Sequence, residues 1–155
     1  MEGTPGQAQA IQDTYDDASS WCYGCGRLNT HGPRFRTFVE GEETVTRYLP
    51  EPYYFGGGKF LYGGLLASLV DCHSAATAAA AGYAAQGRPL GSEPRLRYVT
   101  ASLKVDYLAP SPIGEPLEVR GRATEVKGRK VVVSSEIWVQ GTVCARGEVV
   151  AVLYR

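Results

Sequence analysis

Hydrophobic and polar residues follow two regimes along the chain. From Gly64 to about Ala85, the stretch LLASLVDCHSAATAAAAGYAA is apolar almost all round. That is the pattern of a helix buried on most faces rather than along one stripe. From residue 98 the period changes to two. In YVTASLKVDYLAP, Ala101, Leu103, Val105 and Tyr107 alternate with Thr100, Ser102, Lys104 and Asp106. The segments PLEVRGRATEV, KVVVSSEIWV and TVCARGEVVAVLYR follow, joined by KGR and QG. Such alternation predicts strands, and joints this short predict antiparallel neighbours. Upstream, RFRTFVEGEETVTRYL alternates around a glycine turn and predicts a hairpin. A helix without a polar side must be covered, and the sheet is the only cover available. The expected fold is therefore α+β: a curved antiparallel sheet wrapped around one long central helix.

Punctuation divides the rest. Residues 1–18 form a polar N-terminal segment with a short helix around QAQAIQDTYDD and a frayed front. Residues 19–155 form a single domain, a comfortable length for one core. WCYGCGRLNTHGP reads as a structured loop, and GRPLGSEPRLR as the loop that ends the helix. PEPYYFGGGKFLYGG is a long connection rich in glycine and aromatic residues, a kind more often functional than idle.

Charge narrows the function classes. Sixteen Lys and Arg balance sixteen Asp and Glu, which argues against a nucleic-acid surface or a polybasic membrane anchor. No segment approaches the roughly 20 apolar residues of a membrane span. The N-terminus lacks the basic start and apolar run of a secretory signal, so a cytoplasmic location is expected. Cys22, Cys25, Cys72 and Cys144 are then expected as thiols rather than disulfides.

The chemistry centres on YGGLLASLVDCH, residues 62–73. The first amides of a helix have no internal partner and carry the positive end of its dipole. Gly63 and Gly64 would let a carbonyl approach those amides and an oxyanion be stabilised there, or they simply turn the chain. Asp71 has Ala67, Ser68, Ser74 and Ala75 three and four positions away, so it would lie in a groove of small side chains. It is either a general base or nucleophile, or a structural acid bonded to another element. Gly63 and Asp71 are eight residues apart, roughly 12 Å of helix. One carbonyl cannot reach both within one chain. If the two cooperate, two subunits must share each site, as in a two-fold dimer.

This stretch resembles the His-Gly-Gly-x6-Asp motif of hotdog-fold acyl-CoA thioesterases of the phenylacetate (PaaI) type. WCYGCGRLNTHGPRFR is similar to the superfamily's Cys-Phe-Gly-Cys-Gly-x-x-Asn opening. SLKVDYLAPSPIGEPLEVRGRATEVKGRKVVVSSEIWV resembles its back half, where a strand ending in Tyr-x-x-Pro precedes two long strands. The resemblance implies a hotdog domain that hydrolyses an acyl-CoA or related thioester without a cofactor. It implies Asp71 as base or nucleophile, Gly63 as the polarising amide and Thr100 as the assisting hydroxyl. Thr100 lies on the polar side of its strand by strict alternation. Tyr62, Gly64, Phe60 and Ser68 are the substrate-binding candidates, with Tyr62 standing where the motif has His. The expected partners are the acyl-CoA and further copies of the chain, as dimer or tetramer.

Other features fit less chemistry. Cys22-x2-Cys25 with His31 downstream hints at zinc, but structural sites usually take two paired sets. Cys72 and His73 lie inside the buried helix, where adjacent side chains take different faces, so no metal is expected and the cysteines read as small buried thiols in a tight turn. His73 points about 200° from Asp71 and reads as a core or interface histidine. Residues 127–130, Arg120, Arg122 and residues 95–97 are candidate phosphate anchors. Two alternatives stay open: a hotdog protein that binds a thioester without turnover, and a zinc-dependent interaction module.

Overall fold

The computed structural model describes residues 8–155, and the two sequence regimes become two layers. Helix α1 runs Gly63–Ala85. Six strands, β1 (Thr37–Glu40), β2 (Glu43–Tyr48), β3 (Tyr98–Tyr107), β4 (Leu117–Lys127), β5 (Lys130–Val139) and β6 (Thr142–Leu153), form one antiparallel sheet. Their order is β1-β2-β4-β5-β6-β3. The hairpin, the single helix and the four later strands are where the pattern predicts them, and the curved sheet holds the helix. Among the described residues no helix is long and apolar enough to cross a membrane.

Every second residue of β4, β5 and β6 faces the helix. Leu117 and Val119, Val131, Val133 and Ile137, and Val149 are at most 1% exposed. α1 answers with Leu65, Leu66, Leu69 and Val70. Burying one such side chain contributes about 1.5–3 kcal/mol. Two glycines inside the strands set the closeness of the layers. A Cβ on Gly147 would lie 2.3 Å from Val70 Cγ1, and one on Gly121 3.0 Å from His73 Nε2.

The helix also carries one buried polar chain. His73, fully buried, meets Thr46 Oγ1 through Nδ1 at 2.8 Å and Thr44 Oγ1 through Nε2 at 3.1 Å. Thr46 pairs with Thr37 at 2.8 Å, and Gln12 Nε2 donates to Thr37 Oγ1 at 2.9 Å. On the other side Thr44 pairs with Thr77 at 2.6 Å, and Thr77 donates to the His73 carbonyl. The chain ties α1 to β1 and β2 and satisfies each buried group, which would otherwise cost a few kcal/mol. His73 is thus the core histidine expected from its position. Gln12 belongs to a short 3-10 helix, Ile11–Thr14, whose Ile11 is also fully buried. The expected frayed front lies, through residue 7, outside the described residues.

One expectation fails in β3. This strand is an edge, paired only with β6, and a bulge lies between Thr100 and Ser102. Thr100 pairs with Ala151, Ser102 with Val150 and Leu103 with Val149. Ala151 and Val149 face the helix, so Thr100 shares the side of Leu103 and Tyr107. Strict alternation put it on the opposite side with Ser102. The extra residue, Ala101, reverses its face.

Burial pushes the His73 imidazole down to about 3. The unfolded chain, with an ordinary histidine, takes up a proton that the folded chain refuses. Stability should therefore fall as pH drops through the usual histidine range, by about 1.4 kcal/mol per pH unit from this group. Urea midpoints for wild type and His73→Gln, measured from about pH 7 to 4, should converge as pH falls. Parallel acid limbs would remove this assignment.

Candidate active site

Tyr62 enters α1 in an extended conformation, φ −71° and ψ 145°. Among the described residues no acceptor meets the amide of Gly63 or Gly64. Two tyrosine rings close over this glycine pair. Tyr107 donates its hydroxyl to the Gly63 carbonyl at 2.7 Å, and a Cβ on Gly63 would lie 3.0 Å from that ring. A Cβ on Gly64 would lie 2.5 Å from Tyr62 Cε2. Glycine is needed here because side chains stand where a methyl would go. Phe60 bridges to Pro112 just before, and it and Tyr62 are exposed.

Two helical turns on, Asp71 is half-buried among the half-buried Ala67, Ser68 and Ala75. Thr100 Oγ1 donates to Asp71 Oδ1 at 2.6 Å, a short charge-assisted bond. The β3 bulge makes it possible by turning Thr100 toward α1. Thr100 is the donor Asp71 meets among the described residues, so one carboxylate oxygen remains for water or substrate. Asp71 and Thr100 line a cavity of about 410 Å³ together with Tyr15, Arg95 and Arg97. A groove of about 560 Å³ elsewhere, over Arg47, Arg120 and Trp138, is larger. It offers no nucleophile, and both its arginines are spent on Glu40, Glu43 and Glu118.

Among the expected site residues, the structure brings Asp71 and Thr100 together. Gly63, Gly64, Tyr62 and Phe60 gather at the helix start instead, and none lines the Asp71 cavity. Ser68 stands beside Asp71, but its hydroxyl donates to the Gly64 carbonyl at 2.8 Å. The phosphate candidates separate as well. Arg120 is held in ion pairs, Lys130 lies 3.6 Å from Glu125, and Arg129 donates to the Leu153 carbonyl. Arg95 and Arg97 line the cavity, although Arg95 pairs with Glu93 at 3.0 Å and Arg97 stacks on Tyr154. Tyr107 was read only as the end of a strand, and its bond to Gly63 is new. Alternation puts Tyr107 on one face with Leu103 and Val105, and nothing in that pattern points to the helix start.

The cysteines also differ from expectation. Cys72 stands beside the loop pair as a third thiol. The sulfurs of Cys22, Cys25 and Cys72 all lie within 4.8 Å of one another, with Cys22 and Cys72 3.9 Å apart. Gly24 permits this, since a Cβ there would lie 2.5 Å from Cys72 Sγ. His31 is exposed on the loop, where its amide bonds Asn29. The thiols of Cys25 and Cys72, then the amides of Cys25 and Gly24, donate toward Cys22 and hold its thiol far below the usual range. Its hydrogen bonds with Cys22 and then Cys25, followed by burial, push the Cys72 thiol up. All four cysteines are free thiols.

Comparison with known proteins follows the same lines. The family model described as thioesterase superfamily matches residues 58–150. A thioesterase superfamily protein from Shewanella loihica is 39% identical, with a TM-score of 0.67, over 91% of this chain and all of that one. The acyl-coenzyme A thioesterase THEM4 of Xenopus laevis is 32% identical over 93 residues, 60% of this chain and 36% of that protein. The chain thus spans about a third of that curated relative. The protein smu.793 of Streptococcus mutans, solved bound to acetyl CoA, is 17% identical with a TM-score of 0.64, covering 77% of this chain and 88% of its own. At that identity it speaks for the fold alone.

The geometry at the helix start gives a direct expectation. Tyr107→Phe keeps the ring over Gly63 and removes only the hydroxyl. It should lower stability by about 0.5–1.5 kcal/mol, read as a shift in the urea midpoint at unchanged slope. An unchanged midpoint would mean the bond contributes nothing to holding the helix start.

Proposed function

The chain belongs to the thioesterase superfamily, and we propose that this protein hydrolyses an acyl-CoA or a related acyl thioester. The observation that carries the reading is the Asp71 carboxylate held by Thr100 at 2.6 Å on the wall of a cavity. As a base, Asp71 takes a proton from water while the oxygen attacks the thioester carbon. The carbonyl oxygen gains charge and is stabilised by the Gly63 amide at the positive end of α1. The carbon–sulfur bond then breaks, and the leaving thiolate receives the proton from Asp71. As a nucleophile, Asp71 attacks the thioester carbon and the carbon–sulfur bond breaks with loss of the thiolate; water then opens the mixed anhydride, releasing the acid and restoring Asp71. Both routes use the same two groups, and Thr100 orients the carboxylate in each. Tyr62, Gly64 and Phe60 surround the helix start and Ser68 stands beside Asp71, and the acyl thioester would lie along them.

The site is shared between two copies. Gly63 and Asp71 stand roughly 12 Å apart along one helix, so each carbonyl needs the amide of one chain and the acid of the other. The edge strand β3 supports this, since it exposes Leu103 and Tyr107 at 41% and 53% beside unpaired backbone groups. An open apolar edge of that kind favours pairing with another strand, and self-pairing gives a two-fold dimer. The acyl-CoA thioesterase activity in the name of the Xenopus relative and the acetyl CoA bound to the streptococcal protein support coenzyme A thioesters as the substrate class. Four free thiols fit a reducing compartment, the cytoplasm.

A second reading, binding without turnover, is favoured by Tyr62, whose ring lies against Gly64. One experiment separates the two. An acyl-CoA panel scored by free thiol should show turnover, and Asp71→Asn should lower it by about 10²–10⁴-fold. Thr100→Val should lower it by about 10-fold or more, the worth of a hydrogen bond to a charged group. Full activity in Asp71→Asn would reject the role given to Asp71. Thermal stabilisation by acyl-CoA with no thiol release would select the binding reading.

A further inference from the structure

We propose that Cys22, Cys25 and Cys72 form a three-thiolate site for a soft divalent cation, with zinc as the reference ion. The site lies outside the hydrolytic chemistry proposed above and does not depend on it. Three cysteines from two elements converge: Cys22 and Cys25 from the loop before β1, and Cys72 from the middle of α1. A zinc–sulfur bond of about 2.3 Å requires sulfurs roughly 3.8–4.0 Å apart, from tetrahedral to trigonal. Cys22 and Cys72 are already 3.9 Å apart, and no pair exceeds 4.8 Å. The remaining sulfur has about 1 Å or less to move. The spacing is far from the roughly 2 Å of a disulfide.

Three further features fit a cation rather than three thiols in casual contact. Cys22 is exposed, which gives an ion access, whereas Cys25 and Cys72 are buried and fixed. A tight turn, closed by the Gly26 amide donating to the Cys22 carbonyl at 2.8 Å, presents Cys22 and Cys25 from one loop. Gly24 leaves the space that the Cys72 sulfur fills. On binding, the sulfurs that are still protonated release their protons to solvent, and each sulfur donates a pair to the metal. Three thiolates on one divalent ion leave a single negative charge. The cavity wall that holds the three sulfurs also carries Arg95 and Arg97, with Asp16 and Asp71 the acids. Three protein ligands leave a fourth position, which water from this cavity can take. Occupation would tie the loop at 22–25 to α1 one residue from Asp71.

The test uses the full chain, reduced and freed of metal, with four thiols confirmed by titration. Cobalt(II) added to it should give thiolate-to-cobalt charge-transfer absorption that saturates at one equivalent, and zinc should displace the cobalt. Zinc should also raise the melting temperature. Cys22→Ser, at an exposed position that the fold does not need filled, should lose the absorption and the thermal shift, as should Cys72→Ser. Cys144→Ser, away from the cluster, should keep both. Absence of thiolate charge transfer in the wild type would overturn the proposal, and so would an unchanged band in Cys22→Ser. Neither readout involves thioester turnover, so this site and the hydrolytic reading stand or fall separately.

Discussion

Helix α1 has no polar side to offer water, and that constraint organises the molecule. Twenty-three residues of alanine, leucine and small polar groups must be enclosed on nearly every face. A single sheet can enclose them only by curving around the helix. The sheet must also come very close, because alanine reaches little beyond the backbone. Gly121 and Gly147 sit in the strands where Cβ atoms would meet His73 and Val70. The two layers thus fit through absent side chains as much as through interlocking ones.

The same constraint explains why the helix treats Asp71 and His73 in opposite ways. His73 faces the sheet, where no water can reach, and it stays neutral with threonine hydroxyls at both nitrogens. A ring so fully satisfied has no capacity left for chemistry. Asp71 lies about 200° away around the helix, on the side lined by Ala67, Ser68 and Ala75. There the small side chains leave a cavity, and one hydroxyl rather than several meets the carboxylate. The proposed base thus sits on the strip of the helix that packing leaves incomplete.

Much of this was legible in the letters. The all-round apolar run could only be a central helix, and short joints after residue 116 fixed three antiparallel neighbours. The glycine pair and Asp71 stood out because each is unusual for its place. Thr100 was found for partly the wrong reason. A period-two pattern cannot register one added residue, so the bulge at Ala101, which turns Thr100 inward, left no trace in the alternation. Cys72 was missed as a partner of Cys22 for a different reason. The two are 50 residues apart, and only the path of the loop around Gly24 brings them together. Contacts made by the shape of a loop are not written in periodicity.

Strand β3 joins these threads. It runs back along α1, with Tyr98 against Gly82, Thr100 on Asp71 and Tyr107 on Gly63. Thr100 and Tyr107 are separated by about 23 Å of strand, whereas Asp71 and Gly63 are separated by about 12 Å of helix. The path of the strand and the long tyrosine side chain must take up that difference of about 11 Å. The strand that meets both ends of the candidate site is also one of the two edges of the sheet. A second copy added at that edge would therefore act on the Thr100–Asp71 and Tyr107–Gly63 contacts through one rigid element. Assembly and the geometry of the reactive strip would then be set by the same ten residues.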